Sequence, residues 1–308
     1  MTSPSLSILI TSFNCWDLLN ACLRSIFSSD YPAFEIVVVD NASIDGTVEK
    51  LHITYPMVRV IENSENLGHA RAVNQGFKLV TGQRVLLLDA DTELRPDAIT
   101  NMSAFLDDHP EVYLVAPRTF NSDGTLQHSA RNFPSIMSGL FGRQSFMTRL
   151  FPKNPFSRRY LALYHIDTQT PFRVQHVSAA CMLFNREILS KVGLWDEGFH
   201  SYWVDADWCK SILKAGGNIY CVPKAVVIHH EQYSRFLKKS PIRIIKFHVG
   251  AYRFYRRHYT LGIWDPRTLI AAIALATRAF LLLVINSLKR TSQCYRDPLS
   301  KNKKMRPQ

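Results

Sequence analysis

Two rhythms of apolar residues alternate along the first third of the chain. Residues 6–11 (LSILIT) form a short apolar run rich in branched side chains, which predicts a buried strand. Residues 14–28 then carry Leu18, Leu19, Cys22, Leu23, Ile26 and Phe27 at helical spacing, with Asn14 suited to cap the helix. Residues 34–39 (FEIVVV) predict the next strand, ending at Asp40; a helix starts near Gly46, and 58–61 is a third strand. A helix near 69–80 and a strand at 84–88, closed by Asp89, complete a β-α-β-α-β-α-β series. That series predicts an α/β fold: a doubly wound, mostly parallel sheet with helices on both faces, which takes ligands beyond the carboxyl ends of its strands. Further on, 177–185 (VSAACMLFN) returns to a strand pattern, 205–215 to a helix and 225–228 to a short strand closing at His229. Between them, 122–175 mixes turns and Pro134, Pro152, Pro155 and Pro171 with basic residues, and is expected to include a mobile loop beside the site.

Composition adds scale and location. With 308 residues and 46% hydrophobic content, the chain can bury one large core and still carry an appendage. The formal charge of +12 points to an anionic partner, and its distribution chooses among them. Lys238, Lys239, Arg243, Lys246, Arg253, Arg256, Arg257, Lys289, Arg290, Lys301, Lys303 and Lys304 crowd the last quarter beside an apolar run. A membrane surface fits that pairing better than nucleic acid does. We therefore divide the chain into a main domain over 1–240 and a basic, apolar helical extension over 241–308. The six cysteines show no C-x-x-C or metal-finger spacing, so they read as packed, reduced thiols. The N-terminus enters an apolar β-run without a basic leader, so a cytoplasmic location is expected.

The chemistry-bearing residues stand at strand ends and helix starts. Asp89 and Asp91 leave an apolar strand one residue apart, where two carboxylates can share a hard divalent cation and hold a diphosphate against it. An ordinary acidic turn gives the same pattern. Asp40 closes the second strand, where a carboxylate can meet a ribose or base edge, or simply cap the next helix. Residues 66–76 (NLGHARAVNQG) bring small residues for close backbone approach, and Arg71 could present its fork to a phosphate. Asp205 and Asp207 open the later helix among Tyr202 and Trp203. One of the two can face the cleft as a general base, its pKa raised by partial burial, while the other braces the helix N-terminus. Trp195, Tyr202 and Trp203 could stack on sugar rings. His229, beside a two-carboxylate site, is suited to be a third ligand for manganese or magnesium. No G-x-G-x-x-G follows the first strand, which disfavours a nicotinamide enzyme.

Taken in order, Asp40, the 66–76 loop, Asp89-Ala90-Asp91, the 193–199 stretch GLWDEGF, Asp205-Ala206-Asp207 and His229 resemble family 2 glycosyltransferases of the GT-A fold, over roughly Leu6 to Ser234. The 123–135 stretch DGTLQHSARNFPS is similar to a segment frequent in bacterial rhamnosyltransferase-like members. The resemblance implies an inverting, single-displacement transfer from a nucleoside-diphosphate sugar, L-rhamnose first, to a lipid-linked saccharide in cell-surface polysaccharide synthesis. It implies donor contacts from Thr11, Asp40, Asn66, Gly68, Arg71, Asp89 and Asp91, and a Mg2+ or Mn2+ ion on Asp91, Asp89 and His229. It also implies Asp205 as base with Asp207 as neighbour and fallback, and acceptor contacts from Trp195, Asp196, Glu197, Tyr202 and Trp203. Two departures stand out: Val204 replaces the family's usual Glu before the base, and Ala179-Ala180 replaces a common small Gly, narrowing the acceptor side.

Residues 269–288 (LIAAIALATRAFLLLVINSL) are long enough to span a bilayer, yet Arg278 sits mid-segment, at a cost of about 2.5–3.5 kcal/mol. An interfacial helix or hairpin on the cytoplasmic leaflet fits better; a core helix or a homodimer contact is the plain alternative. Two rival functions stay open. One is a non-catalytic carbohydrate- or nucleotide-binding module at the membrane. The other is a nucleotidyltransferase, although residues 11–14 (TSFN) lack the Gly-rich basic signature it requires.

Overall fold

A computed structural model describes residues 5–134, 150–151, 154–199, 202–231, 240–262 and 264–296. The chain divides into two compact units, Met1–Gln232 and Tyr233–Gln308.

In the first unit, strands β1 (Leu6–Ser12), β2 (Phe34–Asp40), β3 (Arg59–Glu62) and β4 (Arg84–Asp89) alternate with helices α1 (Trp16–Phe27), α2 (Thr47–Thr54) and α3 (His69–Phe77). The four strands pair in parallel in the order β3-β2-β1-β4. Their near-continuous apolar runs are buried on both faces: Ile8, Leu9, Ile10, Val37, Val38, Leu86, Leu87 and Leu88 are fully enclosed. Helix α1 covers one face through Leu19, Cys22, Leu23 and Ile26, one stripe at i, i+3, i+4 and i+7. Helix α3 lies tight on β1, because a Cβ on Gly76 would fall 2.1 Å from a Leu9 methyl. That close approach holds the C-terminal end of α3 against the middle of β1.

Beyond β4 the chain adds β5 (Thr92–Leu94), α4 (Ala98–Asp108), β6 (Val112–Phe120), β7 (Leu126–Gln127), α5 (Pro155–Tyr160), β8 (Phe172–Val174), β9 (Cys181–Asn185), α6 (Ile188–Val192), α7 (Val204–Lys214) and β10 (Asn218–His229). The sheet continues β4-β9-β6-β10-β5, with β9 antiparallel to both neighbours and β10 parallel to β6. The mostly parallel, doubly wound α/β architecture read from the sequence is thus present, with antiparallel strands confined to the later half. The last strand is longer than 225–228, running from Asn218 through a register break between Val222 and Val226. Pro223, which has no N–H for the ladder, interrupts the pattern there and hides the first half of the strand from a periodicity reading. Conversely, 177–180 is not strand; β9 begins only at Cys181. Within 122–175, the described residues form the β6–β7 hairpin, α5, a 3₁₀ turn at Leu163–His165 and β8. The rest of the loop expected there, 135–149 with 152 and 153, lies outside the described residues. The five described cysteines are free thiols, four of them buried.

The second unit contains α8 (Pro241–Tyr259) and α9 (Pro266–Arg296), which pack on each other. Residues 266–288 of α9 are long and apolar enough to cross a membrane. Arg278 does not stand bare in that stretch: its Nη1 donates to His248 Nε2 of α8 at 2.8 Å. The His248 Nδ1–H is taken by the Ile244 carbonyl, 2.7 Å away, which leaves Nε2 as the acceptor. Meanwhile Leu269, Ile270, Ile273, Phe280 and Leu281 remain exposed.

Candidate active site

The carboxyl ends of β1, β2, β4 and β10 converge. Asp89 ends β4, Asp91 follows it, and His229 ends β10, so residues far apart in sequence meet at one rim. Asp89, Asp91 and His229 each offer one ligand atom, all within 4.8 Å of one another. His229 Nε2 lies 3.1 Å from Asp91 Oδ1 and 3.9 Å from Asp89 Oδ2. Two hard oxygens and one imidazole nitrogen form a donor set suited to Mn2+ or Mg2+, with positions left for phosphate oxygens. The electrostatics fit a cation as well. Burial and then the neighbouring Asp91 and Asp205 charges push the Asp89 carboxyl above its ordinary pKa, against the pull of His69 and His229. Burial would lower the His229 imidazole, but Asp91 and Asp89 hold it above its usual value.

A second layer reaches this rim from α3. His69 Nε2 lies 3.9 Å from Asp89 Oδ1, while its Nδ1 hydrogen-bonds Thr11 Oγ1 of β1 at 3.2 Å. Thr11 is thereby tied to the carboxylate rim through His69, which the sequence pattern did not single out. The loops after β1 and β2 are lashed together: Ser43 Oγ accepts from Asn14 N at 2.8 Å, and Asn14 Oδ1 accepts from Ile44 N at 2.8 Å.

Asp40 sits beneath these loops rather than in the cleft. It is 1% exposed, and its oxygens accept from Ser12 Oγ, Ser43 N and Ser43 Oγ at 2.6–2.8 Å. Buried and engaged in this way, the carboxylate braces the loop after β2. In the 66–76 segment, Asn66 Oδ1 accepts from Gly68 N at 3.0 Å, and Gly68 takes a positive φ of 85° just before α3. Arg71 pairs through its Nε with Glu197 at 3.3 Å and keeps more than half of its side chain exposed.

The GLWDEGF stretch proves architectural. Asn74 of α3 bonds both the N–H and the carbonyl of Trp195, at 3.0 and 2.9 Å, and donates to Glu197 at 3.0 Å. The Trp195 ring is 3% exposed and packs against Phe77, Trp208 and His69. Enclosed to this degree, the ring packs as part of the core, where the sequence pattern suggested a sugar platform. Asp196 forms a turn by accepting from Gly198 N at 2.9 Å, and Glu197 is engaged by Arg71 and Asn74. Tyr202 and Trp203 keep partial exposure. Trp203 adopts a left-handed φ of 75° immediately before α7, an unusual conformation for so bulky a residue.

That turn delivers Asp205 on the first turn of α7. His176 Nε2 stands 3.3 Å from Asp205 Oδ2, off hydrogen-bond alignment, and Ala206 N donates to Oδ1 at 2.8 Å. Burial alone would push this carboxyl up, but His176, then Arg131 and the Ala206 N–H, bring it down to about 2. The expected rise in the pKa of a base at this position is therefore reversed; the carboxylate is fully ionised at neutral pH. Nothing in the apolar pattern of the sequence marks His176 or Arg131, whose backbones pair as an isolated bridge. Asp207 is 3% exposed, one turn into the helix interior.

A model of glycosyl transferase family 2 matches residues 7–193, more than half the chain. The chain belongs to that family. Among curated relatives, this glycosyltransferase is 26% identical over 287 residues to the N-acetylglucosaminyl-diphospho-decaprenol L-rhamnosyltransferase of Mycobacterium tuberculosis, covering 89% of this chain and 91% of that one. It is 23% identical to the O-antigen biosynthesis protein RfbC of Myxococcus xanthus, over 85% of this chain and 21% of that protein. Among solved structures it resembles a Pyrobaculum calidifontis mannosyltransferase in complex with GDP-Man and Mn2+ (TM-score 0.57, 20% identity, 97% of this chain and 77% of that one). It also resembles GalNAc-T7 with UDP, GalNAc and Mn2+ (TM-score 0.55, 18% identity, 82% and 50%). These likenesses show that the family 2 glycosyltransferase has the GT-A fold.

Proposed function

We propose that this glycosyltransferase transfers a sugar, L-rhamnose first, from a nucleoside-diphosphate donor to a lipid-linked saccharide, with inversion at the anomeric carbon. The observation that carries the proposal is the Asp89–Asp91–His229 cluster with Asp205 close enough for its charge to act on Asp89. A divalent cation held by those three residues, Mg2+ or Mn2+, would supply the positive charge that steadies a departing diphosphate. Asp205 accepts the proton of the incoming acceptor hydroxyl as its oxygen attacks the anomeric carbon from the face opposite the leaving group. His176 and Arg131 keep that carboxylate charged and aimed. Tyr202 and Trp203, partly exposed beside it, are the aromatic surfaces left for the acceptor once Trp195 is assigned to the core. The 26% identity to a decaprenol-linked rhamnosyltransferase, over nearly the full length of both chains, supports the choice of sugar and acceptor.

Inversion is checked by proton NMR of the product formed from dTDP-β-L-rhamnose and a prenyl-diphosphate N-acetylglucosamine acceptor. An α-linked rhamnoside is expected, and a β-linked product would refute single displacement.

The exposed apolar residues of the second unit support work at a membrane surface. With Arg278 held by His248, α8 and α9 form a hairpin that keeps its cation inward and leaves an apolar face for lipid. The full chain is expected to float with vesicles containing phosphatidylglycerol. Replacing both Ile270 and Ile273 with Glu moves most of it to the soluble fraction without changing its circular dichroism. Unchanged flotation of the double variant would remove this face from the membrane contact.

A further inference from the structure

We propose that Gln127, as the near end of a directed hydrogen-bond chain, is a positioning residue that fixes His229 with Nε2, its ligating nitrogen, turned towards the cluster of Asp89 and Asp91. The inference rests on reading His229 as the third ligand of the carboxylate cluster. His229 Nδ1 lies 2.8 Å from Gln127 Oε1. Gln127 Nε2 donates to Asn121 Oδ1 at 3.0 Å, and Asn121 Nδ2 donates to Thr125 Oγ1 at 2.9 Å. Thr125 Oγ1 in turn donates to Asp123 Oδ1 at 2.6 Å.

The direction of the chain follows from its far end. A carboxylate only accepts, so Thr125 spends its single hydroxyl proton on Asp123 and must accept from Asn121. The Asn121 oxygen is then left to accept from the Gln127 amide, which turns the Gln127 oxygen towards His229. Only an Nδ1–H can satisfy that oxygen, so in the neutral ring that binds a cation Nε2 is the ligating nitrogen. Nε2 is the atom 3.1 Å from Asp91. An outer partner of this kind sets both the tautomer and the orientation of a ligating imidazole.

The fold makes the chain rigid. Gln127 is 5% exposed and pairs with Thr119 across the β6–β7 hairpin. The hairpin turn is closed by Asn121 N to Thr125 O at 2.8 Å and by Gly124, at a φ of 79° that favours glycine. The turn also reaches the next histidine, because Ser122 Oγ bonds His230 Nδ1 at 2.9 Å while His230 Nε2 bonds Glu93 at 2.6 Å. The DGTLQ segment is thus a bracket for the strand end that carries His229.

The test is Mn2+ affinity of the full-length protein, read by electron paramagnetic resonance of free Mn2+ without any turnover. Gln127→Leu is expected to weaken binding by about 10- to 100-fold. Gln127→Glu keeps an acceptor for Nδ1–H and is expected to restore affinity close to wild type. Wild-type affinity in a folded Gln127→Leu, or equal loss in both variants, would overturn the proposal, the latter by showing a packing effect. Should Gln127→Leu fail to fold, Thr125→Val on the exposed turn carries the test: a several-fold loss supports the chain, and unchanged affinity refutes it. His229→Ala separates the two levels. If it binds Mn2+ as wild type does, the ligand reading itself fails; if it is weakened while Gln127→Leu is not, only the positioning role fails.

Discussion

Asp205→Asn lowers the transfer rate by roughly 10²–10⁴-fold, the range of a lost general base, while donor affinity stays at the wild-type value. The substitution is nearly isosteric, so α7 and the contact with Ala206 N survive, and the neutral amide can no longer take up a proton. Donor binding is spared because Asp205 does not belong to the carboxylate pair at the end of β4. A pH profile sharpens the expectation. Since His176 and Arg131 help to hold the carboxyl at about 2, it is charged above its unfolded value of about 3.9 and loses that charge only as the pH falls towards the folded value. No fall in rate above about pH 4 is therefore due to Asp205. Full turnover in a folded Asp205→Asn would exclude it as the base, and Asp207 would be tested next.

Asp91→Ala abolishes metal-dependent donor binding. Its carboxylate is the nearest of the cluster to His229, at 3.1 Å, and its removal leaves Asp89 and the imidazole 3.9 Å apart with no shared anion between them. Mn2+ affinity is expected to drop by more than about 100-fold, beyond the loss typical of an outer-shell partner. Calorimetry with a sugar nucleotide in the presence and absence of Mn2+ reads both effects together. Donor binding that persists at wild-type strength in Asp91→Ala, and still requires Mn2+, would place the metal elsewhere. The variant is expected to fold normally, because Asp91 lies in the turn after β4 and the strands around it are held by apolar packing.

How much of this the sequence disclosed depends on the kind of interaction. The parallel strands of the first half were readable because burial on both faces leaves unbroken apolar runs such as FEIVVV and VLLLD. Asp89, Asp91 and His229 were readable because strand ends concentrate ligands in such sheets. The first half of β10 was not, since Pro223 breaks its pattern in the middle. Trp195 misled for a different reason. A tryptophan beside acidic residues looks the same whether it faces a sugar or a core, and only the Asn74 amide gripping its backbone decides the matter. Asp40 was readable as a strand-end acid, but its bonds to two serines, one of them from the neighbouring strand, were not. His176, Arg131, His69 and Gln127 act through contacts that the topology creates between distant segments, 102 residues apart for Gln127 and His229, and no local spacing encodes those.

The most direct measurement is acceptor-dependent release of nucleoside diphosphate by the purified full-length protein. dTDP-rhamnose and other nucleoside-diphosphate sugars are supplied as donors, a prenyl-diphosphate saccharide as acceptor, with Mn2+ present. Release of nucleoside diphosphate from one donor, requiring both acceptor and metal and absent in Asp205→Asn, is the predicted result. Release of pyrophosphate, or no release of nucleoside diphosphate from any donor by folded protein, would contradict glycosyl transfer at this site.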